Sequence, residues 1–321
     1  MVRKFRHAIV TGGAGFIGSH LCKYLISQGI KVTVIDNFST GNENNLKSIR
    51  SKITLINADI CDVSIDDYFK NIDVVFNCAA MVGVKLATSK PLEVLDQNIS
   101  NVRKILDLCR KNNALHVFIS SSEVYGNSLD MPVSENSILV PVSPYGVSKI
   151  VGETYCSSFK RKYGINSIII RLFNVYGPGQ DTNGLSWVLP SFIIKLLQNQ
   201  KITIHGTGEH TRDFTFIDDA VKGIFLASVK GTFGDAYNIG TGIETSISDL
   251  GKLVIKKMNL SNDKLHFTRN RSFQIYRRVA DTHKAKNDLN FTSSISLSVG
   301  VSKTISFFKR TINTKIKSKN G

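Results

Sequence analysis

Tyr145 and Lys149 stand four residues apart in Pro144-Tyr145-Gly146-Val147-Ser148-Lys149, a spacing that puts both side chains on one helical face. A free phenol ionises near pH ~10 and is a poor base at neutrality. An ammonium beside it favours the phenolate, so the pair can supply a proton acceptor at physiological pH. Upstream, the apolar run ending in Ile119-Ser120-Ser121-Ser122-Glu123-Val124-Tyr125-Gly126 closes on three hydroxyls and an acid. Ser121 could hydrogen-bond a reacting hydroxyl, and Glu123 could act as a carboxylate base. The plainer alternatives are serines that end a strand and an acid that orients a loop.

A second cluster concerns phosphate. Thr11-Gly12-Gly13-Ala14-Gly15-Phe16-Ile17-Gly18 places glycines at 12, 15 and 18 between an apolar run and a helical pattern. The first permits a tight turn, the second lets backbone approach a pyrophosphate, and the third allows close helix–strand packing. The helix that follows offers its unpaired N–H groups to the phosphate. Asp36 ends the next apolar run, where a carboxylate accepts from ribose hydroxyls and repels a 2′-phosphate. The following Asn37-Phe38-Ser39-Thr40-Gly41 carries no arginine, so NAD is expected over NADP.

These groups need elements to hold them. Ala8–Val10, Val32–Ile35, Ile53–Ile56, Val74–Phe76, Leu115–Ile119 and Ser167–Leu172 read as buried strands. Helical patterns at Phe16–Gln28, Leu92–Lys111 and Tyr145–Tyr163 alternate with them. The expected fold is therefore α/β, a Rossmann-type doubly wound parallel sheet. Residues 1–176 would form the NAD-binding domain. Residues 177–321 would form mainly a smaller mixed α/β substrate-binding portion, with some segments returning to the first. There, helices near Ser186–Gln198 and Phe216–Lys230 and short strands near Ile202–His205 and Ala236–Ile239 are expected. Asn42-Glu43-Asn44-Asn45 reads as a polar loop.

The 321 residues are 42% hydrophobic and 21% charged, which excludes disordered, collagen-like and disulfide-scaffold classes. Five scattered cysteines without a C-x-x-C pair suggest reduced thiols in a cytoplasmic protein. His205 and His210, flanking a Gly-Thr-Gly turn, read as loop residues, and no metal site is expected. No apolar run approaches membrane-spanning length. The net charge of +16 invites an anionic partner. The basic end (Lys309, Arg310, Lys315, Lys317, Lys319) reads as a frayed terminus. No aromatic–basic signature of the common RNA modules is present, so nucleic acid is not an expected partner.

The motifs TGGAGFIGSHL, DNFSTG, Asp59-Ile60, SSSEVYG, YGVSK, RLFNVYGPGQ and RDFTFIDDA together resemble the extended short-chain dehydrogenases/reductases, specifically the NAD-dependent nucleotide-sugar epimerase/dehydratase family, over most of residues 5–285. The resemblance implies a Ser–Tyr–Lys site, here Ser121, Tyr145 and Lys149, that moves a hydride between a sugar carbon and NAD. It implies adenine contacts at Asp59 and Ile60, a strand-four backbone contact at Ala79 and Ala80, and cofactor contacts at Gly12, Gly15, Phe16, Ile17, Gly18, Asp36, Asn37, Ser39, Thr40, Gly41, Tyr145 and Lys149. Asn174 and Arg212 correspond to contacts with the substrate diphosphate. Arg271 sits where the family often places another phosphate arginine, although the local Pro-Gly-Asp pattern is missing. Relatives commonly form homodimers through a helix bundle that includes the Tyr145–Tyr163 helix.

Three reactions share the first step of C4 oxidation. Glu123 resembles the glutamate of dehydratases and decarboxylases, whereas epimerases usually carry a small or hydroxyl residue there. Ser122 stands where dTDP-sugar dehydratases have an aspartate, and Gly179 where decarboxylases have an arginine. The Ala79–Lys85 segment and the Val175–Gln180 turn look more like 4-epimerases. A 4-epimerase acting on a UDP-hexose is the expected activity. A 4,6-dehydratase or UDP-glucuronate decarboxylase using Glu123 is the alternative, and a non-catalytic nucleotide- or RNA-binding scaffold a distant one.

Overall fold

The computed structural model describes residues 2–83, 88–128, 130–180, 187–269 and 275–317, with side chains to 312. The chain opens with β1 (His7–Thr11), α1 (Phe16–Ser27), β2 (Lys31–Asp36), β3 (Ile53–Asn57) and β4 (Val74–Asn77). Then come α2 (Pro91–Asn112), β5 (Leu115–Ser121), α3 (Pro144–Tyr163) and β6 (Ser167–Leu172). The C-terminal part supplies α4 (Val188–Leu197), β7 (Ile202–His205), β8 (Thr211–Asp213), α5 (Ile217–Lys230) and β9 (Ala236–Ile239). It ends with β10 (Glu244–Ser246), α6 (Ile247–Lys257), β11 (Leu265–Thr268), α7 (His283–Leu289) and α8 (Leu297–Lys317).

Seven strands form one sheet in the order β3-β2-β1-β4-β5-β6-β9, every pairing parallel. Period-two alternation sorts its residues between two cores. Ala8 and Val10 pack with Leu21 and Leu25 of α1, whereas Ile9 packs with Ile105 and Leu108 of α2. Both faces are covered, which is why these strands are almost continuously apolar. The order reverses between β1 and β4, and ligands of such sheets bind outside the strand carboxyl ends at that point.

β9 joins the sheet beside β6. Two small two-stranded sheets, β7 with β11 and β8 with β10, lie outside it. Three expectations change. Residues Glu43–Lys52 form a 3₁₀ helix rather than a loop, because Asn42 Oδ1 accepts from Asn44 N and caps it. His205, also read as a loop residue, instead closes β7, the strand expected over Ile202–His205, with Nδ1 2.8 Å from Thr268 Oγ1 across the pair. The basic end begins on an ordered helix: Val301, Ile305 and Phe308 bury one side of α8 while Lys309 stays exposed. No helix among the described residues is long and apolar enough to cross a membrane.

Candidate active site

At the carboxyl end of β1 the glycine turn lies against the residues after β4. Gly12 holds φ +66°, and a Cβ there would sit 2.7 Å from the Ala79 Cα, so only glycine permits the approach. At Gly15, chain neighbours aside, the Gly12 carbonyl oxygen is the only atom among the described residues within 4 Å of such an atom, which leaves the mouth of the turn open. Gly15 caps α1 without a side-chain bond. The first N–H groups of the helix, at Phe16, Ile17 and Gly18, therefore have no intrahelical acceptor and can meet phosphate oxygens. A Cβ on Gly18 would collide with the Gly12 carbonyl oxygen, the close packing expected of the third glycine.

Asp36 Oδ2 accepts from Ala14 N at 2.8 Å and Oδ1 from Phe38 N at 2.8 Å, which fixes its carboxylate at the end of β2. Burial pushes its pKa up from the ordinary aspartate value, partly offset by those two bonds. Gly41 packs so closely that a Cβ would lie 2.8 Å from Asp36 Oδ1. Asn37 Nδ2 donates to Asp59 Oδ2 at 2.8 Å, and Ser39 N to Asn37 Oδ1 at 3.0 Å, so the loop leading to Thr40 is tied to the turn after β3. The Ile60 side chain is buried in the core with Ile35 and Phe69. Ala79 N donates to Thr11 Oγ1 at 3.4 Å, and Ala80 follows it. This open glycine mouth with an acid at the next strand end fits a dinucleotide without a 2′-phosphate.

The candidate reacting groups gather at the end of β5. Ser143 Oγ accepts from Gly146 N at 3.0 Å and Pro144 opens the first turn of α3, which fixes the start of the helix beside the strand end. Lys149 is buried, donates from Nζ to the Ile119 carbonyl at 2.7 Å, and lies 5.4 Å from the centroid of the Tyr145 ring. Ser121 Oγ accepts from Glu123 N at 3.2 Å and also hydrogen-bonds the Tyr145 phenol. The expected lowering of the phenol by Lys149 is absent here. Burial and the Glu123 carboxylate push Tyr145 well above its ordinary pKa, and only the Ser121 bond opposes them. The ammonium is committed to a backbone carbonyl, and burial lowers its own pKa to about 8.

Glu123 is not a lone carboxylate. Arg278 Nη1 donates to Glu123 Oε1 at 2.5 Å, and Ser143 Oγ lies 3.3 Å from Oε2. Burial works to raise this acid, but Arg278, then Arg212 and Ser143, hold it below the usual glutamate value. Arg278 is 1% exposed, and its Nε and Nη2 have no hydrogen-bond partner among the described residues. Arg212 lies close enough for burial and Arg278 to lower its pKa to about 10, with Glu123 opposing. Asp213 brings the two arginines together. Its carboxylate accepts from Thr241 N, Thr241 Oγ1, Gly242 N and Ala280 N, clamping the segment that carries Arg278 against β8. Asn174, at φ +21°, has a buried Oδ1 without a partner among the described residues. Arg271 lies outside the described residues.

The sequence reading missed Arg278. Arg277-Arg278 looks like two surface cations, and Arg277 is one, paired with Glu244 at 2.7 Å. The only signal was the pair of apolar residues, Val279 and Ala280, that follow and become buried.

A dinucleotide cradle beside a buried phenol and two inward-facing guanidiniums is the equipment of an enzyme that oxidises and reduces an alcohol on an anionic substrate. The chain belongs to the NAD dependent epimerase/dehydratase family, whose model matches residues 8–240. A Methanocaldococcus jannaschii protein named for UDP-glucose 4-epimerase activity is 37% identical over 310 residues, spanning 95% of this chain and 99% of its own. The UDP-N-acetyl-alpha-D-glucosaminuronate decarboxylase of Bacillus cytotoxicus is 31% identical over 96% of this chain and 99% of its own. Among solved structures, UDP-glucose 4-epimerase from Thermotoga maritima with UDP-glucose superposes with a TM-score of 0.90 at 31% identity, over 95% of this chain and 99% of that one. The cofactor of the family is NAD.

Proposed function

We propose that this enzyme is a 4-epimerase of a UDP-hexose. The observation that carries the reading is the engagement of Glu123: its carboxylate is held by Arg278 and Ser143, so the free base that a C5 proton abstraction would need is not on offer. In this reading Arg212 and Asn174 hold the diphosphate, a guanidinium fork suiting phosphate oxygens. Ser121 orients the sugar 4-hydroxyl and Tyr145 takes its proton. The 4-keto sugar turns over about its diphosphate anchor, so that the other face of C4 is offered to the returning hydride, and Tyr145 gives its proton back to the C4 oxygen. Gly12, Gly15, Phe16, Ile17, Gly18, Asp36, Asn37, Ser39, Thr40, Gly41, Asp59, Ile60, Ala79 and Ala80 would hold the cofactor, with Lys149 beside Tyr145. NAD, when bound, accepts and returns the hydride of C4.

A second reading rests on Arg278, whose Nε and Nη2, without a partner among the described residues, would suit a substrate carrying a carboxylate, a nucleotide uronate. Under either reading we take the protein to be a cytoplasmic homodimer. Exposed Val147 and Tyr163 on α3 and Leu92 on α2 support pairing through those helices.

Incubation with UDP-, GDP- and dTDP-hexoses and UDP-glucuronate, followed by mass and C4 configuration of the product, tests both readings. An isomer of unchanged mass from a UDP-hexose is expected. Loss of water would overturn the epimerase and return Glu123 to the role of base. Turnover of UDP-glucuronate alone, with or without loss of carbon dioxide, would favour the second reading.

A further inference from the structure

Behind the reacting groups lies a second, wholly buried charge pair that the reaction scheme does not use. Glu153 follows Lys149 by one turn on the same face of α3. Its Oε1 accepts from Ser120 Oγ at 2.6 Å and from Arg171 Nε at 3.0 Å, and its Oε2 from Arg171 Nη2 at 2.7 Å. Both side chains are under 10% exposed. Arg171 Nη1 goes on to donate to Tyr125 Oη at 2.8 Å and the Glu135 carbonyl at 2.9 Å, and Tyr125 Oη to Asn238 Oδ1 at 2.7 Å.

This network joins each element that carries a reacting group. Ser120 precedes Ser121 on β5 and pairs in register with Arg171 on β6. Tyr125 ends the 3₁₀ turn that begins at Ser122. Lys149 donates to the carbonyl of Ile119, one residue before Ser120. A carboxylate one turn from an ammonium in a low-dielectric interior also favours the charged lysine.

We propose that Glu153, locked by Arg171, is a positioning residue: it fixes the β5 end that presents Ser121 and keeps Lys149 in its ammonium form. The inference rests on the epimerase reading only for the role of Lys149 beside Tyr145. The charged or titratable groups facing Lys149 are Cys78 after β4, and Tyr145 and Glu153 on α3. Around Glu153 stand Arg171 and, beyond it, Tyr125 and Glu135. Burial brings Lys149 down to about 8, with Cys78 and Glu153 opposing that fall.

The sign follows directly. Without the Glu153 carboxylate the ammonium loses an opposing charge and faces an unneutralised Arg171, so Lys149 gives up its proton at lower pH. The test is NMR of enzyme labelled at the lysine side chains and saturated with NAD, with Lys149 assigned through Lys149→Met. In Glu153→Gln the Lys149 titration should fall by about one pH unit or more, and the alkaline limb of kcat should move down with it. Glu153→Gln/Arg171→Gln, which removes both charges, should recover most of that shift. An unmoved Lys149 titration in Glu153→Gln would overturn the electrostatic role.

Glu153→Met/Arg171→Met guards against a variant that cannot fold, because apolar replacement of a buried pair is often neutral for stability. It should keep a melting temperature near wild type yet lose at least about tenfold in kcat with KM little changed, as expected when a group acting at the transition state is displaced. Wild-type kcat in that variant would overturn the positioning role. Absence of turnover in the wild type would instead defeat the epimerase reading, while the NMR titration would still report on Glu153.

Discussion

Glu123 illustrates how one contact changes the meaning of a residue. Two positions after Ser121 a glutamate invites the role of base, yet its carboxylate neutralises a guanidinium that has no other route to solvent. Glu123→Gln should therefore act first on stability. It strands the Arg278 charge, and breaking a buried pair costs about 3–5 kcal/mol. The low end applies, because the Glu123 side chain keeps 32% exposure. The pH dependence follows from its depressed pKa. The stabilisation is fully present above the unfolded glutamate value of ~4.3 and is lost as pH falls through the lower folded value. Urea unfolding of wild type and variant should show a gap at pH 7 that closes toward pH 3. Removing the carboxylate also removes one of the two influences that raise Tyr145, so the acid limb of kcat should shift to lower pH. A variant that is folded, equally stable and inactive would instead make Glu123 a group acting on the substrate.

At the level of elements, the sheet carries a polar chain through its centre. Thr11 on β1 donates to Asn77 on β4 at 3.1 Å, and Asn77 Nδ2 lies 3.4 Å from His116 Nε2 on β5. His116 Nδ1 then lies 3.3 Å from Ser167 Oγ on β6. Burial alone lowers His116 to about 3, so the ring stays neutral in the fold. The unfolded chain takes up a proton near pH ~6.5. Stability tied to this residue is thus complete above 6.5 and declines as pH falls toward 3, by up to ~1.4 kcal/mol per pH unit. His116→Gln should be less stable than wild type at pH 7, and the difference in unfolding free energy should shrink steadily from pH 6.5 to 4. A constant difference would mean that His116 does not titrate in the unfolded ensemble as supposed. The same strands explain what could be read in advance. β1, β2, β4, β5 and β6 are buried on both faces and announce themselves as apolar runs. β8 and β10 are three residues each, and β11 exposes His266 and Phe267, so no pattern marks them. The nucleotide turn and the Tyr145–Lys149 spacing are local and were legible. The Arg278–Glu123 and Glu153–Arg171 pairs join residues 155 and 18 apart, and only the folded sheet and the Asp213 clamp bring them together.

Across the whole molecule the charge is unevenly spread. Residues 250–321 hold 16 lysines and arginines against three acids, which is most of the surplus of +16, and nothing acidic follows Asp288. Lys252, Lys256 and Lys257 are exposed along α6, and α8 packs against that helix with Lys309 exposed. Arg212, the candidate diphosphate arginine, and Arg278 beside it belong to the same half of the chain. A field of this sign concentrates an anionic nucleotide sugar near the pocket, and at 0.1 M salt it reaches only about 10 Å. Between 20 and 300 mM NaCl, kcat/KM for the nucleotide sugar should therefore fall several-fold. The turnover number should hold, because the buried pairs that govern the reacting groups are screened far less. Replacing Lys252, Lys256 and Lys257 by Gln should flatten that salt dependence and leave kcat in place, since none of the three touches the site. The same screening should raise the thermal midpoint with salt, because a chain this far from neutrality repels itself. A salt-independent kcat/KM together with a salt-raised midpoint would separate the two effects. It would assign the basic C-terminal face to something other than substrate capture.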